Sequence, residues 1–233
     1  MSAVLEITDI RKTFGGLKAV DGLGLTIEAG EVVGLLGPNG SGKTTLMNLV
    51  SGALKPTEGS IRLKGQEIAG RRPDVIARAG VARTFQLVRL LPSLSLLENV
   101  AVSAMFGPQR LSRIEAEKVA RACLERIGLA GRETMPAGDL TYIDQKRLEL
   151  ARALAGEPKL LLLDEWLAGL NPTELQEGIA LIRRLASEGT TILLVEHIMA
   201  AVHALCPRSV VDVLPVAPPY YAKAKREICK RCY

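Results

Sequence analysis

The chain has 233 residues, of which 48% are hydrophobic, 24% charged and 3% aromatic. This length and composition predict one large domain, or a domain with a subdomain, and exclude a disordered, collagen-like or disulfide-framed chain. The formal net charge is +5, but residues 217–233 hold five of the 30 basic residues and one of the 25 acidic residues. The rest of the chain is therefore close to neutral, and with so few aromatic side chains we expect no nucleic-acid partner.

The termini and cysteines indicate a reducing compartment. The first ten residues lack a basic region followed by an apolar run, and no stretch approaches 18 consecutive apolar residues, so neither a secretory signal nor a membrane span is expected. Four cysteines are present, and Cys229 and Cys232 form a CxxC pair. The pair has no second ligand pair and no thioredoxin-like context, so we expect free thiols rather than a redox or zinc site.

Short apolar runs alternate with amphipathic segments along the chain. In chain order, the runs predict strands at 4–10, 23–27, 31–37, 60–64, 159–165 and 190–195, and the amphipathic segments predict helices at 44–50, 98–106, 113–128, 145–155 and 172–187. Strands that alternate with helices predict an α/β fold with a mostly parallel sheet, with residues 60–64 as an edge strand or hairpin. The helix-rich middle third indicates an inserted helical subdomain.

A glycine-rich loop follows the strand predicted at 31–37. Its residues match G-x-x-x-x-G-K-[ST] and are Gly37, Pro38, Asn39, Gly40, Ser41, Gly42, Lys43 and Thr44. Glycines let consecutive backbone N–H groups turn inward around phosphate oxygens, and the N terminus of the following helix attracts the same anion. The motif therefore predicts a nucleotide site, with Lys43 on the β- and γ-phosphates and the Thr44 hydroxyl on Mg²⁺.

Two carboxylates end the apolar strand at 159–165. The carboxyl ends of parallel strands form the ligand edge of an open α/β sheet. Asp164 is expected to hold Mg²⁺ there, and Glu165, which faces elsewhere, to polarise an attacking water.

Five segments together resemble the ATP-binding subunit of an ABC transporter. They are the glycine-rich loop, the RTFQ segment that ends at Gln86, the segment 140–145, the leucine-rich strand with its Asp-Glu pair, and His197 after the last predicted strand. Within that family, the stretches ARTFQLVRLLPSLSLLENV, LLLLDE-x-LAGLNPTE and ILLVEH-x-M are most similar to the branched-chain amino acid importers.

The resemblance implies a P-loop NTPase ABC cassette, with a mostly parallel sheet core, an antiparallel β edge and an inserted helical subdomain. It also implies a role for further residues. Phe14 would stack on adenine near Val20, and Thr45 would join the phosphate site. Gln86 would act with Glu165 and His197 in catalysis and would also contact Mg²⁺. Thr141 would complete the ATP site of a partner subunit. Asn171 would lie at the dimer interface.

The chain departs from the family pattern at several positions. Ile143 stands where the signature usually has glycine, and we expect it to crowd the opposed nucleotide, so that Ile143→Gly would raise ATPase activity. Trp166 replaces proline and is expected to tilt Glu165 or block its water, the alternative being that it packs outward. Ile198 replaces a frequent aspartate. After Cys206 the composition changes abruptly, which indicates a shifted reading frame or a divergent end, and on that hypothesis the last strand and its glycine-bearing turn are expected to be lost.

The resemblance implies four regions: a nucleotide-binding core (1–86), a helical subdomain that contacts the permease (87–140), the signature helix with the remaining core (141–206) and a divergent, poorly packed tail (207–233). The implied function is a Mg²⁺-dependent ATPase that powers an importer of branched-chain or other hydrophobic amino acids. Its partners would be membrane permease subunits, a second ATP-binding subunit and, indirectly, an external solute-binding protein, with the chain peripheral on the inner face of the membrane.

Two alternatives remain open at this level. The first is a regulatory subunit that binds nucleotide and hydrolyses it weakly, which Ile143 and Trp166 favour. The second is a non-transport ABC ATPase, against which the presence of one cassette without a long coiled-coil insertion argues.

Overall fold

The computed structural model describes residues 2–211, with nothing described of the Val211 side chain. The strands are β1 (Ala3–Phe14), β2 (Leu17–Glu28), β3 (Val32–Leu36), β4 (Glu58–Leu63), β5 (Gln66–Glu67), β6 (Val81–Arg83), β7 (Leu160–Asp164), β8 (Ile192–Val195) and β9 (Arg208–Val211). The helices are α1 (Lys43–Val50), α2 (Pro73–Ala79), α3 (Leu96–Phe106), α4 (Arg113–Arg126), α5 (Tyr142–Leu154), α6 (Pro172–Ser187) and α7 (Met199–Leu205).

A five-stranded parallel sheet forms the centre, in the order β6-β7-β8-β3-β9. Its three middle strands are almost entirely apolar and buried because helices or the second sheet cover both faces. Alternate residues face alternate cores: in β7, Leu161 and Leu163 pack with the α3–α6 side, and Leu160 and Leu162 pack with the α1 side. The predicted α/β fold with a parallel sheet is confirmed.

The antiparallel part is a second sheet of four strands, in the order β2-β1-β4-β5. It was expected as an edge of the parallel sheet. Its apolar side packs on the α1 side of the core through side chains such as Leu5, Ile27 and Ile61. This placement brings the β1–β2 turn, which begins at Phe14, towards the glycine-rich loop.

Helices α3, α4 and α5 lie between β6 and β7 in the sequence and pack together on the other core. Reciprocal capping boxes start two of them, with Ser95 and Glu98 at α3 and Ser112 and Glu115 at α4. Such caps satisfy the first N–H groups of a helix and explain why the predicted helix starts lie close to the observed ones.

The expected loss of the last strand is wrong. Residues 208–211 form β9, which pairs in parallel with β3, from Val33 opposite Arg208 to Leu36 opposite Val211. The Arg208 guanidinium binds both carboxylate oxygens of Glu31, with Nε to Oε1 at 2.7 Å and Nη2 to Oε2 at 2.8 Å. This partly buried ion pair and the β-branched Val210, which packs on the α1 side of the core, hold the strand. The rest of the predicted tail, with Cys229 and Cys232, lies outside the described residues.

Four further short elements were not predicted, namely α2, β5, β6 and α7. They contain seven residues or fewer, which is too few for a periodic pattern to stand out from a loop. Among residues 2–211, no helix combines the length and the apolar character needed to cross a membrane.

Candidate active site

The glycine-rich loop joins the carboxyl end of β3 to the first turn of α1. Gly40 and Gly42 have φ angles of 83° and 89°, a left-handed conformation that side chains with Cβ disfavour. Gly42 also occupies the N-cap of α1, and no side chain among the described residues caps that helix. The first N–H groups of α1 therefore point towards the loop, as an anion site requires.

Lys43 folds back over the loop. Its Nζ donates to the carbonyl oxygens of Gly37 at 2.7 Å and Pro38 at 2.9 Å, and lies 3.4 Å from the Ser41 hydroxyl. The ammonium group is thus held beside the loop's N–H groups, where it adds positive charge. This donor set suits the phosphates of a nucleotide.

A cleft of about 320 Å³ opens above the loop. It is lined by Phe14, Leu17, Lys18, Ala19, Asn39, Gly40, Ser41, Gly42, Lys43, Thr44, Thr45, Glu165 and His197. Phe14 is 44% exposed and its ring lies 4.9 Å from Lys12 Nζ, so a flat apolar surface is available. The prediction for Val20 is wrong, because its side chain is 1% exposed and packs in the core; Ala19 faces the cleft instead, since neighbouring residues of a strand face opposite sides.

Glu165 is held between the two other predicted catalytic residues. Gln86 Nε2 donates to Glu165 Oε2 at 2.7 Å, and His197 Nε2 lies 3.1 Å from Glu165 Oε1. Glu165 has a φ of 48°, a conformation that costs free energy outside glycine and occurs often at functional sites. The three side chains come from separate segments, so the fold brings together the predicted catalytic group.

Asp164 has a partner that the sequence did not reveal. Arg83, at the end of β6, donates from Nη2 to Asp164 Oδ2 at 2.7 Å and from Nη1 to Asn48 Oδ1 at 2.7 Å. Both members of the ion pair are largely buried. Arg83 therefore ties Asp164 to helix α1, close to Thr44. Within the described residues, no group of three or more acidic, His or Cys side chains could enclose a metal. A cation here would need phosphate or water ligands as well, which is the usual state of Mg²⁺.

Glu196 is a further buried acid that sequence reasoning missed. It follows β8, is 2% exposed, and its Oε1 accepts from the Leu167 N–H at 2.7 Å. Its pKa is raised to about 7, mainly because burial disfavours the charged form; the nearby Glu165 contributes to the rise, whereas the N–H groups of Leu167 and His197 oppose it. Glu196 thus links the segment after Glu165 to the segment that carries His197. In the sequence, only its position next to His197 could have indicated that Glu196 lies near the site.

Trp166 neither blocks the water of Glu165 nor packs outward, so these two expectations are wrong, whereas the expected tilt of Glu165 stays a prediction. The indole is fully buried and packs within the α3–α6 core, so it neither lines the cleft nor packs outward. Its Nε1 donates to the Lys146 carbonyl oxygen at 3.1 Å, which satisfies its one polar group. Trp166 is therefore a core residue that joins the Glu165 segment to α5.

The signature segment starts helix α5. Thr141 is the N-cap and its hydroxyl accepts from the Asp144 N–H at 3.4 Å. Ile143 is only 8% exposed, so little of its surface is available to an opposed nucleotide, and the expected crowding stays a prediction. Asn171 caps α6 by accepting from the N–H groups of Thr173 and Glu174 at 3.0 Å each. None of these caps lines the cleft of their own chain.

A family model described as ABC transporter matches residues 20–168, which is more than half of the chain. The chain belongs to the ABC transporter family. BraF of Pseudomonas aeruginosa, a high-affinity branched-chain amino acid transport ATP-binding protein, is 41% identical over 222 residues, covering 89% of this chain and 87% of that protein. The resemblance to the branched-chain importers is thereby confirmed.

Solved ATP-binding cassettes share the fold. The ADP conformation of MJ1267, an ATP-binding cassette of an ABC transporter, superposes with a TM-score of 0.81 at 29% identity, covering 91% of this chain and 88% of that one. The dimeric cassette MJ0796, bound to ADP and Pi in a post-hydrolysis state, has a TM-score of 0.77 at 27% identity, covering 89% and 93%. The two sheets and inserted helices described above are thus the cassette architecture.

Proposed function

We propose that this chain is the ATP-hydrolysing subunit of an ABC importer for branched-chain amino acids. The observation that carries the proposal is the placement of Glu165 at the cleft, between Gln86 and His197 and beside the glycine-rich loop. A carboxylate in that position can orient and polarise a water for attack on a phosphate. The identity with BraF supports the choice of solute class.

The loop residues would bind the phosphates, and Phe14 would offer its exposed ring to the base. Backbone N–H groups of the loop, the N terminus of α1 and Lys43 supply the positive field that a triphosphate needs. Thr44, Gln86 and Asp164 would hold Mg²⁺, which neutralises phosphate charge when bound. Arg83 would keep Asp164 in place towards this site.

Glu165 would accept the proton of the attacking water, or share it, as phosphate charge develops. Gln86 and His197 each hold one of its carboxylate oxygens, so the acid cannot rotate freely. Such fixed geometry is most of what an enzyme contributes to phosphoryl transfer. With Trp166 and Ile143 buried, neither residue blocks the cleft.

A second cassette and membrane permease subunits would complete the transporter. Thr141 and Asn171 lie away from the cleft of their own chain and would face the nucleotide and interface of the second cassette. The dimeric MJ0796 structure is a precedent for such an arrangement. The chain would act on the inner face of the membrane, with an external solute-binding protein delivering the amino acid to the permease.

Paired titrations would test the enzymatic part. ATP affinity and phosphate release are measured for the wild-type chain, for Glu165→Gln and for the matched control Glu117→Gln, which removes a carboxylate on the surface of α4. We expect all three to bind ATP with Mg²⁺ equally, and Glu165→Gln to lower kcat by roughly 100-fold or more. Release that is unaffected by Glu165→Gln would refute the assigned base.

The transport part needs a cellular readout. Cells that lack leucine uptake are supplied with a branched-chain permease and either this chain or its Glu165→Gln variant. Uptake of labelled leucine that depends on Glu165 supports the proposal, whereas hydrolysis without uptake of any branched-chain amino acid would refute the solute class.

A further inference from the structure

The loop that carries Gln86 is tied at two points to helix α5. The backbone N–H groups of Phe85 and Arg89 both donate to Oε1 of Glu149, at 3.3 Å each. Gln86 lies between these two donors in the sequence. The loop of residues 85–89 is therefore bent around one carboxylate oxygen that belongs to a helix about 60 residues further along the chain.

Glu149 places a carboxylate at a buried position, where it costs free energy. It is 5% exposed, and burial raises its pKa, although the N–H groups of Arg89 and Phe85 and the nearby Lys146 and Arg152 oppose the rise. A buried carboxylate costs free energy unless it is hydrogen-bonded. The hydrogen bonds of Glu149 go to the loop rather than to α5, so its contacts stabilise the conformation of the loop.

Arg152 strengthens the same attachment one turn further along α5. Its guanidinium donates to the Arg89 carbonyl oxygen, so both backbone groups of Arg89 are bound by side chains of α5. The Phe85 ring lies 4.3 Å from the guanidinium carbon of Arg89 within the loop and 5.3 Å from that of Arg83 at the end of β6. These cation–π contacts pack the loop on itself and against the end of β6.

The attachment bears directly on Glu165. Gln86 Nε2 lies 2.7 Å from Glu165 Oε2, and a displacement of the loop by about 1 Å would take this hydrogen bond outside its effective range. Helix α5 packs in the helical core, and its N-cap is Thr141, in the signature segment. Any shift of α5 would thus reach Gln86 through the loop.

We propose that Glu149 is a positioning residue of the hydrolytic site, which holds residues 85–89 to α5 and so places Gln86 against Glu165. This inference rests on the proposed function, in which Glu165 polarises the attacking water. It assigns to the signature helix α5 a specific contact through which a shift of this helix would reach the catalytic carboxylate.

A double-mutant cycle distinguishes positioning from general stability. Phosphate release and ATP affinity are measured for wild type, Glu149→Ala, Gln86→Ala and the double variant, with Glu117→Ala as surface control. We expect Glu149→Ala to lower kcat about 10- to 100-fold with KM changed by less than about 2-fold, and to have no further effect when Gln86 is already alanine. Equal losses in both backgrounds would overturn the proposal.

Conservative variants keep the test informative. Glu149→Gln retains an acceptor oxygen for both N–H groups, and we expect it to recover at least about half of the wild-type kcat. If Glu149→Ala does not fold, Glu149→Asp replaces it, because its carboxylate is one methylene shorter and falls short of the loop. Full activity of Glu149→Asp, or no recovery by Glu149→Gln, would contradict the inference.

Hydrogen exchange tests the contact without any need for hydrolysis. In Glu149→Ala, we expect the amides of residues 85–89 to exchange at least about 10-fold faster, while the strands of the central sheet keep their protection. Unchanged exchange in this loop would overturn the proposal. If the wild-type chain releases no phosphate, the proposed function fails, and exchange alone decides whether Glu149 holds the loop.

Discussion

Glu196 offers a quantitative test of how the fold treats a buried acid beside the site. Its pKa rises from 4.5 to about 7, mainly because burial disfavours the charged form. Between these two pH values the native chain keeps a proton that the unfolded chain releases, so stability falls as pH rises. Since one pKa unit is worth about 1.4 kcal/mol, the loss from pH 4.5 to above 7 is about 3 kcal/mol.

The substitution Glu196→Gln removes this penalty. Glutamine keeps an acceptor oxygen for the Leu167 N–H and carries no charge at any pH. The variant should therefore match the wild type near pH 4.5 and exceed its free energy of unfolding by up to about 3 kcal/mol at pH 8.

Urea unfolding at pH 5, 6, 7 and 8 measures this difference. The chain has a single tryptophan, and because Trp166 is fully buried, its fluorescence reports unfolding. Equal m-values for the two proteins would show that the same surface is exposed in each. A stability difference between Glu196→Gln and wild type that does not change with pH would refute the reasoning, as would a wild type that gains stability from pH 5 to 8 relative to the variant.

Three further substitutions test the packing around the site. Trp166→Phe loses the hydrogen bond to the Lys146 carbonyl oxygen and leaves a cavity. Chemical denaturation should therefore show a free energy of unfolding lower by about 2 to 3 kcal/mol, with kcat per folded molecule unchanged. Faster hydrolysis would show that the indole does obstruct Glu165. Gly178→Ala places a Cβ 2.6 Å from Leu167 Cδ2, and thermal unfolding should reveal about 1 to 2 kcal/mol of destabilisation despite the better helix propensity of alanine. Ile143→Gly removes a buried side chain from the first turn of α5, so calorimetry should record a lower Tm and phosphate release no increase; a rise in ATPase activity at unchanged Tm would support the crowding interpretation.

Local sequence was sufficient for the phosphate loop, the strand that ends at Asp164 and Glu165, and the main helices. In each case the pattern is contiguous, because a glycine-rich turn, an apolar strand or a capped amphipathic helix is specified by neighbours within about ten residues. The resemblance to ABC cassettes extended this to Gln86 and His197, whose contacts with Glu165 the fold supplies.

Tertiary structure alone decided the partners that lie far apart in the chain. Arg83 reaches Asp164 across 81 positions, Glu196 binds the Leu167 amide across 29, and Glu149 binds the loop of Gln86 across 60 or more. The packing of elements against one another also buries Val20, Ile143 and Trp166. The physical reason is that the burial and partners of a side chain depend on which elements pack against it, and the periodicity of one segment contains no record of the segment that covers it.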